Sequence, residues 1–344
     1  MTHRPLVSVI VPAKDQAPYV SDALASLALQ FDDPAVLEVL VVDDGSTDGT
    51  GELAASFADR LPGLRVLRNE STAGLATARN QGLDAAGGAY IAFLDGDDWL
   101  APGHLAACLD SLRRLDVDFV RTDHVTVEEG RRTLVRAPQA RRGTALDPRE
   151  SILPADARAM VDYPYAWAGL FQRRVAERGL LRFPDGLRTA EDRPWIWRLH
   201  LQADSFAVVN APGVIYRRGV PTSLTQVCDE RQLDFLPSFA MIFDLVQTVE
   251  DPTLFWPKVA RQFCAVACHH LGRDNWPGDL REPLRAGITQ ALAAMPQEAC
   301  QGALDTLDAE RRAALLPLLP GGPGRFTGSV PAESVPAAPA GVSP

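Results

Sequence analysis

Two β-branched runs constrain this chain most: LVSVIV over residues 6–11 and LEVLVV over 37–42. Neither alternates with polar residues, so each reads as a strand buried on both faces. Each also leads through a loop into a helical period. After Pro12, apolar residues recur at Val20, Ala23, Leu24 and Leu27 within 15–30, opened by Ser21 and Asp22. After the second run the pattern predicts a helix over 52–58, a short strand over 64–67, a helix over 74–86 closed by Gly87 and Gly88, and a strand over 89–94. Strands alternating with helices at this spacing give an α/β fold, a mostly parallel sheet flanked by helices, with ligands bound at the carboxyl ends of the strands.

Carboxylates collect at those ends: Asp15 after the first strand, Asp43 and Asp44 after the second, and Asp95, Asp97 and Asp98 after the fourth. Three carboxylates in four residues repel one another unless a cation, hydrogen-bond donors or solvent neutralise them. An acidic turn is the plain alternative, with Trp99 opening the next helix and Ser46 or Thr47 capping the one after Asp43 and Asp44. Convergence at the ends of three strands favours a ligand site. The first turn, Pro12-Ala13-Lys14-Asp15, is no glycine-rich dinucleotide loop, and there is no P-loop. An acidic, metal-assisted hold on a diphosphate is what remains.

Composition narrows the partner. The 344 residues carry 44 Asp and Glu against 34 Lys and Arg, a net charge of -10, so no nucleic-acid partner is expected. The hydrophobic fraction of 46% supports a sizeable core. No transmembrane run and no signal peptide are read, which places the protein in the cytoplasm, with peripheral membrane contact and oligomerisation left open. Five scattered cysteines do not form a disulfide framework, and Cys264, Cys268 and His269 read as core helix before metal cluster.

VSVIVPAKD, VVDDGSTDGT, AGLATARNQGL and AYIAFLDGDDWL, in this order and spacing, resemble the nucleotide-sugar-binding half of family 2 glycosyltransferases with the GT-A fold, a Rossmann-like sheet. The resemblance implies that Pro12, Ala13, Asp15 and Asp44 hold the base, that Arg79 lies near the nucleotide, and that Asp97 binds Mn²⁺ or Mg²⁺ with Asp95 beside the ribose or the metal. Asp98 is expected to support them. The plain reading of Arg79 is a surface helix arginine. Asp15 and Thr72 stand where the family pattern has Asn; an Asp keeps an acceptor and loses a donor. A UDP-sugar is the favoured donor.

Beyond residue 100 a helix over 102–115 and a strand over 118–127 are expected. Arg131, Arg132, Arg136, Arg141 and Arg142 form a solvated loop or, alternatively, a contact for an anionic acceptor. Glu191 and Asp192 stand before an aromatic-rich helix. By position the resemblance implies that Asp192 is the catalytic base of an inverting transferase, with Glu191 beside it; helix N-terminal acids favoured by the dipole are the alternative. Trp195, Trp197 and His200 read as core before site. Arg217 and Arg218, with Thr222 and Ser223, are read as a cover for the diphosphate. The signature of processive members, QxxRW, is absent, which implies addition of a single sugar.

Three regions follow: 1–225 as the catalytic domain, divided at residue 100 into donor and acceptor halves, 226–319 as a C-terminal helical region, and 320–344 as a disordered tail poor in large apolar residues. The expected activity is transfer of one sugar, hexosyl or N-acetylhexosaminyl, to a hydroxyl of a glycan, glycolipid or teichoic-acid-like polymer in cell-wall or polysaccharide synthesis. A sugar nucleotidyltransferase and a non-catalytic nucleotide-sugar-binding module are the rivals.

Overall fold

The computed structural model describes residues 5–220 and 227–320. Thr222, Ser223 and the expected tail after Pro320 therefore lie outside the described residues. Four strands carry the chain as far as residue 93: β1 (Val7–Ala13), β2 (Leu37–Asp43), β3 (Leu64–Arg68) and β4 (Tyr90–Phe93), interleaved with α1 (Val20–Leu27), α2 (Thr50–Ala55) and α3 (Leu75–Ala85). Every residue of β1 and β2 is buried, as two-sided apolar runs require.

Strand β5 (Trp99–Leu100) and α4 (His104–Leu115) follow, then β6 (Phe119–Arg121), β7 (His124–Glu128), β8 (Arg131–Val135), β9 (Gly169–Gln172), α5 (Arg173–Glu177), α6 (Asp192–Gln202), β10 (Phe206–Val208) and β11 (Val214–Arg217). The C-terminal helices are α7 (Phe235–Gln247), α8 (Trp256–Leu271), α9 (Arg281–Ala294), α10 (Gln297–Asp305) and α11 (Ala309–Leu315). Seven strands form one sheet in the order β10-β6-β9-β4-β1-β2-β3, and four form a second, β5-β11-β7-β8. In the first sheet β9 is antiparallel to both β4 and β6, and the other pairs are parallel.

Local details depart from the periodicity. β1 runs through Pro12 to Ala13, where a stop was expected. Ile10 and Pro12 face the β4 side of the strand; Leu94 N donates to the Ile10 carbonyl at 3.0 Å, and the β1–β4 pairing ends at Ile10. The missing Pro12 N–H therefore falls beyond the end of β4 and costs no ladder bond. The strand expected over 118–127 is two strands in different sheets. Trp99 pairs with Ile215 in β5 and starts no helix. Part of the arginine-rich stretch is the hairpin strand β8, with Arg142 bound to Asp123 at 2.9 Å and Arg141 3.8 Å from Glu150.

One hydrophobic cluster runs from Val7 to Leu319, so the C-terminal helices share the core of the sheet. Trp195, Trp197 and His200 are fully buried in it, and Cys264 and Cys268 lie buried in α8. Helix α3 lies close over β1: a Cβ on Gly82 would stand 2.4 Å from the Ile10 Cγ2. Ile10 is β-branched and fully buried, so it cannot swing aside. Gly82→Ala should cost about 1–3 kcal/mol by overpacking, read as a lower urea midpoint; an unchanged midpoint would disprove this tight contact.

Candidate active site

The loop after β1 is laced to the loop after β2. Asp15 adopts φ 49°, its amide donates to Ser46 Oγ at 2.9 Å, and its carboxylate accepts from the Thr47 amide at 2.8 Å with Lys14 3.1 Å away. Gln16 N and Ala17 N donate to Thr50 Oγ1 and Asp48 Oδ2. The Thr47 amide, then Lys14, hold the Asp15 carboxyl below the usual range. Asp15 is thus a loop clasp. Pro12 and Ala13 are buried in register with Val42 and Asp43.

Asp44 is nearly buried and accepts four hydrogen bonds: Asn69 Nδ2, Thr72 Oγ1 and Ala73 N at 2.7 Å, and Gly74 N at 2.9 Å. Burial works to raise its carboxyl, but these donors overcome it and leave the group below its usual range. They match the acceptor capacity of one carboxylate, so Asp44 shapes the segment that delivers α3. Asn69 is a partner that no sequence pattern singled out.

At the end of β4, Asp95, Asp97 and Asp98 cluster as expected. Asp98 is fully buried; one oxygen accepts from Arg217 N at 2.7 Å and the other has no partner. Burial, then the neighbouring carboxylates, push Asp97 up to about 6 and Asp98 well above its ordinary value. Such crowding is relieved by a cation. Among the described residues no set of three or more His, Cys, Asp or Glu side chains forms a cage. Asp95 and Asp97 would supply two carboxylates, which suits a hard cation that takes the rest of its shell from water and phosphate.

Arg79 is the hub. It is 4% exposed, which rules out the alternative of a surface arginine. Its Nη2 donates to Asp95 at 2.8 Å and its Nη1 to Glu191 at 2.9 Å, and its guanidinium lies 4.9 Å over the Phe183 ring. One forked side chain on α3 therefore ties the end of β4 to the start of α6, with Arg79 and Glu191 112 residues apart in sequence. Glu191 is buried and engaged by Arg79, whereas Asp192, in the first turn of α6, is half-buried. Burial is the largest effect raising both carboxyls; Arg79 opposes it at Glu191, and Arg193 and Arg79 oppose it at Asp192.

Arg217 does not stand free for a diphosphate. Its Nε donates to the Asp97 carbonyl at 3.0 Å, its Nη2 to Asp22 at 2.8 Å, and its guanidinium stacks 4.6 Å from Trp99 and 5.0 Å from Tyr19. It locks β11 onto the acidic turn and α1. Arg218 beside it is exposed.

Against Tyr216 of β11 stand two aromatic residues that sequence reading missed, Tyr165 and Trp167. Tyr165 stacks on Trp167 at 4.7 Å, and both lie beside Tyr216, at 6.0 and 5.4 Å. Burial, opposed by Arg158 and reinforced by Asp192, raises the Tyr165 phenol. The only signal was the alternation YPYAW over 163–167.

Residues 8–177 match the family model described as glycosyl transferase family 2. That segment belongs to the family. A relative in it, EpsJ of Bacillus subtilis, an uncharacterized glycosyltransferase, is 31% identical over 226 residues, 65% of this chain and 64% of EpsJ. The match thus spans somewhat less than two thirds of that relative. Among solved structures, S. aureus TarS in complex with UDP-GlcNAc aligns with a TM-score of 0.71 at 20% identity, over 87% of this chain and 83% of TarS. Mannosyltransferase PcManGT from Pyrobaculum calidifontis, in complex with GDP-Man and Mn2+, aligns at 0.50 and 22% identity, over 92% and 79%. At these identities the structures bear on fold alone, and they share the GT-A sheet. Among the described residues, no helix is long and apolar enough to cross a membrane.

Proposed function

We propose that this chain transfers a single sugar from a nucleoside-diphosphate sugar, a UDP-sugar first, to a hydroxyl acceptor with inversion, in the assembly of a glycan, glycolipid or teichoic-acid-like polymer. The observation that carries the reading is the Arg79 bridge, which holds the acidic end of β4 and the Glu191–Asp192 pair in one site. UDP-GlcNAc in TarS and cell-surface polymer names among the relatives, such as the putative teichuronic acid glycosyltransferase TuaG of Bacillus subtilis, support the donor and acceptor classes.

In this reading the loops after β1 and β2, with Pro12, Ala13, Asp15 and Asp44, form the floor under the base. Asp97 and Asp95 would hold Mn²⁺ or Mg²⁺, which would supply positive charge to neutralise the diphosphate. The acceptor hydroxyl loses its proton to Asp192 while its oxygen bonds to the anomeric carbon; the bond from that carbon to the diphosphate breaks, and its electron pair departs with the leaving group. Of the two carboxylates, Asp192 is the base because it is open to an acceptor, whereas Glu191 is occupied by Arg79. Tyr165 and Tyr216 offer half-buried ring faces for an acceptor sugar, and Arg218, exposed beside Arg217, is the cation assigned to the diphosphate.

A thermal-shift panel of nucleotide sugars with and without Mn²⁺ tests the proposal. The true donor should raise the melting temperature by mass action. Asp97→Asn should remove the Mn²⁺-dependent part of that rise. If no nucleotide sugar shifts the wild-type protein with or without metal, the reading is wrong.

A further inference from the structure

The loop 183–191 ends at Glu191 and leads directly into Asp192, the first residue of α6, and it is gripped from two sides. On one side α3 holds its ends: Asn80 exchanges hydrogen bonds with the Phe183 backbone, both at 2.9 Å, and Arg79 takes Glu191. On the other side, the C-terminal region holds consecutive residues just before α6. The Arg188 amide donates to Asp234 at 2.6 Å and its guanidinium to Glu230 at 2.6 Å. Thr189 Oγ1 donates to the Arg231 carbonyl at 2.6 Å, and Ser238 Oγ donates to the Ala190 carbonyl at 2.8 Å.

That last bond falls where the backbone is least content. Ala190 adopts φ 59°, the left-handed region that disfavours a side chain with a Cβ. Its carbonyl also accepts from Arg193 N at 3.3 Å as α6 begins. Ser238 is fully buried in the first turns of α7, so its hydroxyl is fixed in place. At the second residue of α6 the Arg193 guanidinium lies 5.8 Å from the Phe239 ring, and one turn further Trp197 Nε1 donates to Gln262 of α8 at 2.8 Å. The start of α6 is thus set by residues far along the chain.

We infer that the C-terminal helical region positions the base of the proposed reaction: Ser238 and the backbone around Arg231, through Ala190 and Thr189, hold the bend that aims Asp192 at the acceptor. This rests on the reading in which Asp192 is that base. Ser238 and Thr189 are positioning residues. A loop free to relax at Ala190 would let Asp192 drift, and misplacement by about 1 Å costs a large factor in rate without affecting a donor held on the sheet.

The test uses the full chain with Ser238→Ala and Thr189→Val, with Thr189→Ser as the conservative variant and Thr248→Val as a control, since the Thr248 hydroxyl bonds within α7 to Leu245. We expect Ser238→Ala and Thr189→Val to lower kcat about tenfold with donor KM and the donor-induced thermal shift unchanged. Amides of residues 190–194 should exchange with deuterium about tenfold faster. Thr189→Ser and Thr248→Val should behave as wild type. Unchanged kcat and exchange in both variants would overturn the inference, and so would a fall in kcat matched by lost donor binding, which would mark a general loss of structure. Should Ser238→Ala not fold, half-buried Thr189→Val carries the test. If the wild type neither binds nor transfers any donor, the transfer reading fails, while hydrogen exchange at 190–194 still decides the brace.

Discussion

Asp192→Asn should lower sugar transfer by about 10³-fold, the range a well-placed general base contributes, while the donor still raises the melting temperature as in wild type. The asparagine keeps the shape of the side chain and cannot take up the acceptor proton. Burial raises the Asp192 carboxyl, so on balance its charge does not stabilise the fold, and the neutral asparagine should leave stability close to wild type. Steady-state transfer assays with the donor found in the thermal-shift panel check this. Near wild-type transfer by the variant would move the proton acceptor elsewhere and remove the main support for an inverting mechanism.

Arg79→Met should be the most destabilising single change in the site. It leaves Glu191 and Asp95 without their shared partner, and breaking a buried ion pair by removing one member costs about 3–5 kcal/mol. Burial already holds the Glu191 carboxyl above its ordinary range, with Arg79 working against that rise. Without the guanidinium the carboxyl climbs further and takes up a proton more readily. The sign follows from linkage: a raised carboxyl favours the folded state at low pH and penalises it once ionised. The stability lost should therefore be greater at pH 8 than at pH 5, measured by urea unfolding at both. Arg79→Lys should recover only part of it, because a single ammonium cannot fork between two carboxylates held by different elements. Equal stability of Arg79→Lys and wild type would contradict the hub.

Much of the first hundred residues was legible because their information is local. The buried runs of β1 and β2, the helical period of α1 and the acidic cluster after β4 are patterns within a few residues, and the sheet gathers Asp15, Asp44, Asp95, Asp97 and Asp98 as that alternation implies. The family resemblance was carried by the same motifs and agrees with the match over 8–177. Trp195 and Trp197 could be read as core for the same reason, being large apolar residues on one short helix.

Pairing over long sequence distances was not legible. Arg79 looks like a surface helix arginine until β4 and α6 close over it, and Arg217 looks like a free cation near a loop until Asp22, Trp99 and the Asp97 carbonyl surround it. The strand expected over 118–127 broke because β6 and β7 belong to different sheets, a division no local pattern marks.

By itself the sequence determined the alternating α/β order, the acidic strand ends and the family, since strand burial, helical period and motif spacing are all written in neighbouring residues. Only the tertiary structure decided which charges are partners. A buried carboxylate or guanidinium takes its state from whatever packs against it, and for Glu191 that is an arginine 112 residues away.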